Sequence, residues 1–176
     1  MKKVITVVLL VFFAAIVIYA TALAQPDGDL VVIMPYESPP VIEIHSNQEV
    51  ILGANWGACT YGLARAAPSS ARLGWTVDGD PLFSSQKEVK QYWGLPFPED
   101  LGTTSCIAGD GMYMWWRHWR YSIGKLDPGV YEIRLHYWLA RSTVDGADYD
   151  NDGRPDIFVG TLVDIPVSVL VVDPPD

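Results

Sequence analysis

The segment Asp148-Tyr149-Asp150-Asn151-Asp152-Gly153-Arg154-Pro155-Asp156 sets carboxylates at relative positions 1, 3, 5 and 9, with a glycine at position 6. Alternate residues of a tightly curled loop aim their side chains at one point, and glycine permits the sharp turn between them. Clustered carboxylates at this spacing suit calcium, a hard cation that takes six to eight oxygen ligands at roughly 2.3–2.6 Å. The expected ligands are the side chains of Asp148, Asp150 and Asp152, the backbone carbonyl of Arg154, and Asp156 directly or through a water. The same residues also suit an acidic, solvated hairpin tip with no metal.

The spacing resembles two kinds of calcium loop. It is similar to the EF-hand loop, but position 12 is Val159, where an EF-hand carries a bidentate glutamate, and Ile157-Phe158-Val159-Gly160 reads as a strand where a helix would stand. It also resembles the helix-free Asp-x-Asp/Asn-x-Asp-Gly-x-x-Asp loop of FG-GAP repeats and related extracellular β-proteins, matching at every acidic position. The likeness spans about 13 of 176 residues and occurs once, so it implies a calcium site and not a repeated propeller.

The rest of the chain must deliver and position this loop. Lys2 and Lys3, the apolar run Val4 to Ile18 and the small residues Ala22-Leu23-Ala24 read as a secretory signal over residues 1–24. The apolar stretch is also long enough for a retained membrane anchor. Residues 25–40 form a polar lead and a first strand, and residues 41–176 one β-sandwich with the calcium loop at 145–156. Removing the signal takes away two lysines and no acid, so the net charge moves from −9 to −11. That acidity argues against nucleic acid, whose phosphates require a basic face. Cys59 and Cys106 are the only cysteines, and an even pair in an exported chain predicts one disulfide.

Short runs separated by Gly, Pro and Asp predict an all-β domain. Strands are expected at Leu30–Met34, Val41–His45, Glu49–Ala58, Ala71–Val77, Met112–Ile123, Val130–Ala140 and Ile157–Val172. Gly160 and Pro166 are expected to interrupt the last. Residues 62–70 read as a small-residue loop without a period. Residues 86–92 suit a short helical turn or an edge strand, and 95–98 and 102–105 read as irregular. The segment Leu126-Asp127-Pro128-Gly129-Val130-Tyr131-Glu132-Ile133-Arg134-Leu135 resembles the turn and strand common in immunoglobulin-like and fibronectin-type-III-like domains. Trp75 is similar to their buried strand tryptophan. The resemblance implies an immunoglobulin-like antiparallel β-sandwich, although Cys106 precedes the aromatic strand, unlike the antibody pattern.

Seven tryptophans is a high count for this length. Strand alternation places Tyr113, Trp115, Arg117, Trp119, Tyr121 and Ile123 on one face, and Met112, Met114, Trp116, His118, Arg120 and Ser122 on the other. In the next strand Tyr131, Ile133, Leu135, Tyr137 and Leu139 form the core face. Trp116, His118, Arg120, Arg134, His136 and Trp138 therefore face away from the core. They could lie beneath loops or form a surface for an extracellular protein or a carbohydrate, since sugars stack on tryptophan and Trp and Arg are favoured at interfaces.

Signs of catalysis are sparse. There is no G-x-S-x-G elbow, no glycine-rich nucleotide loop and no local histidine metal motif. Convergence of His45, His118 and His136 on copper or zinc, or a carboxylate pair for glycoside hydrolysis, stays open as a minor alternative. The sequence supports an exported calcium-binding β-sandwich without catalytic residues, with a carbohydrate-binding domain and a hydrolase or copper protein as alternatives.

Overall fold

The computed structural model describes residues 28–100, 105–109 and 113–174. The expected signal segment, most of the polar lead, residues 102–104 and Met112 lie outside the described residues. The strands are β1 (Leu30–Ile33), β2 (Val41–His45), β3 (Glu49–Ala58), β4 (Ala71–Val77), β5 (Asp80–Pro81), β6 (Phe97–Asp100), β7 (Tyr113–Gly124), β8 (Gly129–Val144) and β9 (Ile157–Val172). They build a sheet of order β1-β3-β7-β6 facing a second of order β2-β9-β8-β4-β5. The ladders are antiparallel except at two edges, where β1 runs parallel to β3 and β2 parallel to β9. The chain crosses from one sheet to the other between β1 and β2, so each can add to an edge in the parallel sense that a hairpin does not allow.

The period-2 pattern decides what lies between the sheets. Leu52, Ala54, Trp56 and Ala58 of β3 and Ile133, Leu135, Tyr137 and Leu139 of β8 are buried, as alternation requires. Trp119 of β7 stacks on Trp75 of β4 with ring centroids 5.6 Å apart, joining the two sheets at the centre of the core. Phe83, Tyr92 and Tyr121 pack edge-on or tilted around this pair.

Two short helices modify the expected plan. Residues 62–70 are not a loop: α1 (Tyr61–Ala66) runs into a 3-10 turn (Ala67–Ser69). The Thr60 hydroxyl accepts the Leu63 N–H at 3.2 Å and caps α1, while Ala64, Ala67 and Pro68 are buried. A helix under two turns long has too few residues to display a helical period. Residues 86–90 form α2 (Gln86–Lys90), capped by Ser85, and Trp119 Nε1 donates to its Val89 carbonyl at 2.7 Å. The Gln86 amide also completes the edge of β4, accepting from Leu73 N–H at 3.3 Å and donating to Leu73 C=O at 2.9 Å, as a neighbouring strand would. The expected irregular stretch around Leu95–Pro98 contains the short edge strand β6, paired with β7.

Of the two interruptions expected in β9, Gly160 lies at a register slip, whereas the strand runs unbroken through Pro166, which pairs with Arg134. The pairing with β8 slips between Tyr137 and Trp138 and again between Leu139 and Thr143, and Gly160 adopts φ +84° beside the second slip. Ser168 N–H bonds to Pro40 C=O on the β2 side. Pro166, two residues earlier on the same edge, therefore lacks its N–H where β2 has not yet begun.

Candidate metal centre and adjoining cavity

The hairpin between β8 and β9 is fastened at its base before it curls. Cys59, just past β3, forms a disulfide with Cys106. Cys59 N–H donates to Asp145 C=O at 2.7 Å, Ile107 and Ala108 N–H donate to Gly146 C=O at 3.1 Å each, and Asp148 N–H donates to Ser105 C=O at 2.9 Å. The covalent link thus holds both segments that grip residues 145–148. Gly146 has φ +89°, and a Cβ there would sit 2.9 Å from Ala108 Cβ, 3.0 Å from Leu63 Cδ1 and 3.1 Å from Cys59 Cβ. Only glycine meets both the backbone angle and the space.

From that base the loop winds around Asp148, which is buried. Its Oδ1 accepts Asp152 N–H at 3.0 Å and its Oδ2 accepts Gly153 N–H at 2.8 Å. Asn151 (φ 60°) and Gly153 (φ 85°) supply the left-handed residues that let the chain turn inward. Asp156 closes the ring by accepting Tyr149 N–H at 2.7 Å through Oδ2, while its own N–H bonds to Ala147 C=O at 2.8 Å. Carboxylate oxygens of Asp148, Asp150 and Asp156 come within 4.8 Å of one another. Two bonds of about 2.4 Å from a single ion span that distance, so one cation can reach all three. The donor set is all oxygen, which favours calcium or magnesium over softer metals.

Of the expected ligands, Asp148, Asp150 and Asp156 converge. The carboxylate of Asp152 instead accepts Arg154 N–H at 2.9 Å. Among the described residues no lysine, arginine or histidine forms an ion pair with these acids. The concentration of negative charge is felt locally: partial desolvation, reinforced by Asp152 and Asp156, pushes the Asp150 carboxyl above its usual range. Sequence reasoning did not assign Asp145 a role. It is buried, holds Ala147 N–H and Tyr149 O–H at 2.9 and 3.0 Å, and is pushed up mainly by desolvation. Its position just before Gly146 was the available signal.

The loop borders a cavity. β1 covers β3 only as far as Leu52, and β2 covers β9 only from Ser168 onward. Between the uncovered lengths of β3 and β9 lies a cavity of about 650 Å³, lined mainly by aromatic and aliphatic side chains, with Asp145, Tyr149, Asp150 and Asp156 at one end. Tyr36, from the β1–β2 crossing, bonds to Asn55 N–H at 2.6 Å on the exposed β3 edge. Trp56 meets Phe158 edge-on at 6.1 Å, and Tyr149 meets Phe158 at 6.3 Å. Trp56 Nε1, Trp116 Nε1 and Tyr137 Oη lie buried with no hydrogen-bond partner, and all three residues line this cavity.

The six outward residues do not form one surface. Trp116, His118 and Arg120 lie on the outer face of the β7 sheet, and Arg134, His136 and Trp138 on the outer face of the opposite sheet, because each triplet alternates with core residues. Most already have neighbours: Arg120 donates to Asn55 Oδ1 at 3.1 Å, His118 packs edge-on against Phe97, and Arg134 and His136 share Asp164 at 3.4 Å each. Burial, aided by Arg120, pushes the His118 imidazole below its usual range. No tryptophan is among the exposed large side chains of the described residues, and no histidine joins the acidic cluster. Comparison of the chain with protein-family models, with curated proteins and with solved structures finds no match.

Proposed function

We propose that this protein is an exported, immunoglobulin-like β-sandwich that binds one calcium ion at Asp148, Asp150 and Asp156 and serves as a binding or structural module. The observation that carries the reading is the convergence of three carboxylates, without a compensating cation among the described residues, in a loop built by its own hydrogen bonds and two left-handed residues. Bound calcium would neutralise that charge and add its binding energy to folding stability, since the unfolded chain holds no such site.

The immunoglobulin-like type draws support from Trp75, buried at the sheet interface, and from Tyr131, whose hydroxyl donates to Asp127 C=O at 3.0 Å across the turn before β8. Export draws support from the disulfide, which suits an oxidising compartment. No helix among the described residues is long and apolar enough to cross a membrane. A flat sugar-stacking platform has less support, because the tryptophans are buried or half-buried.

The test is the melting temperature of the chain lacking residues 1–24, with calcium and with a chelator. Calcium at about one hundred times its Kd should add roughly 2.7 kcal/mol, a shift of several degrees. Asp150→Ala should remove the shift while melting close to the chelated parent. An identical melt with calcium and chelator would sink the reading.

A further inference from the structure

We infer that the cavity between the uncovered edges of β3 and β9 is a ligand site for an apolar carboxylate, whose head completes the coordination of the calcium and whose body lies among Trp56, Tyr137, Phe158 and Leu162. The inference rests on the calcium reading above. Two observations carry it. Asp150 and Asp156 belong both to the convergent carboxylates and to the cavity wall, so a cation held there borders the cavity. The loop has Val159 where a twelfth-position acid would add two more oxygens, and Val159 is exposed, so a small loop ligand set leaves room for an oxygen from outside.

Size and polarity narrow the class. About 650 Å³ falls within the range of small-ligand sites. Away from its acidic end the lining is largely aromatic and aliphatic, which suits a hydrocarbon or aryl body better than a sugar, whose hydroxyls need polar partners around the whole ring. A carboxylate placed against these aspartates without the metal meets only like charge. Calcium dependence is therefore the signature of this arrangement.

The experiment is calorimetric titration of the chain lacking residues 1–24 with 4-phenylbutyrate, in calcium and in chelator. 4-Phenylbutan-1-ol and a methyl glucoside serve as controls, and calcium binding is titrated separately. Binding of phenylbutyrate that weakens by about tenfold or more in chelator, and by a similar factor for the alcohol, is the expected result. Leu162→Trp should fill the cavity, abolishing phenylbutyrate binding while calcium still binds. Should that variant misfold, the milder Leu162→Phe should weaken phenylbutyrate a few-fold with calcium affinity unchanged. Calcium binding with no phenylbutyrate binding overturns this inference and leaves the calcium reading standing. Equal affinity in chelator, or for the alcohol, overturns it too, because the head would then not be on the metal. Displacement by the glucoside overturns it in favour of a sugar site. Absence of calcium binding removes both.

Discussion

Two aromatic clusters occupy the same sandwich and differ in what covers them. Around Trp119, the stacked Trp75 and the rings of Phe83, Tyr92 and Tyr121 close a packed core, with α2 as its cover and the Val89 carbonyl receiving the Trp119 indole N–H. Around Trp56, the rings of Tyr137, Phe158 and Tyr149 border an open cavity, because neither β1 nor β2 extends along that length of its sheet. The closed cluster is not fully satisfied either, since Trp75 Nε1 is buried without a partner. Covering, and not aromatic content, separates the cluster that holds the sheets together from the one with space to spare.

The largest effect that would break the comparison comes from truncation. Trp119→Ala should cost about 3–5 kcal/mol in urea unfolding, the range for deleting a buried large aromatic. Trp56→Ala should cost clearly less, because one side of its ring already borders empty space. Equal costs would show that both clusters are core. Next in size is the clamp at the loop base. Cys59→Ala with Cys106→Ala should lose about 2–4 kcal/mol and also blunt the calcium shift, since Ser105 and Asp145 lose their common anchor. A calcium shift that survives undiminished would separate the loop from its clamp.

Two glycines sharpen the contrast between base and tip. Gly146→Ala should destabilise by roughly 1–3 kcal/mol, from the strained φ together with the close contacts. Gly153→Ala should cost about 1 kcal/mol, because nothing lies within 4 Å of the added methyl and only the positive φ opposes it. Similar losses at the two sites would show that packing at the base matters little. The smallest effect is electrostatic. Burial pushes the Glu37 carboxyl up, against the pull of Arg120 and Asn55. The folded state then holds that proton more tightly than the unfolded chain. The resulting stabilisation is present below the ordinary glutamate range and is lost as pH rises through the raised value. Glu37→Gln should flatten that acid-side slope in a stability–pH titration, and an unchanged slope would assign it to other acids.

Much of the fold was legible because strand alternation is a local signal. Val41–His45, Glu49–Ala58, Ala71–Val77 and Ile157–Val172 are read from the chain with the bounds they have in the structure, and the core face of β8 follows residue by residue. The helix after Cys59 was illegible because it is short and depends on its Thr60 cap and on burial of Ala64. The curl around Asp148 was legible from the spacing of Asp and Gly, yet the turning of the Asp152 side chain towards Arg154 N–H was not, since it depends on backbone angles. The cavity could not be read at all. It arises from where β1 and β2 stop, which is a matter of pairing between distant segments, and Tyr137 looked like ordinary core.

The parallel pairing of Val41–His45 with Ser168–Val172 joins segments near opposite ends of the described chain. A β8–β9 hairpin can form locally, but β2 must wait for β9, so its loop-closure entropy is met late. A chain emerging from synthesis therefore cannot complete this sheet until Ser168–Val172 are free. Deleting residues 168–174 should leave β2 an unpaired, sticky ribbon and slow or prevent the final folding step, whatever the loop binds.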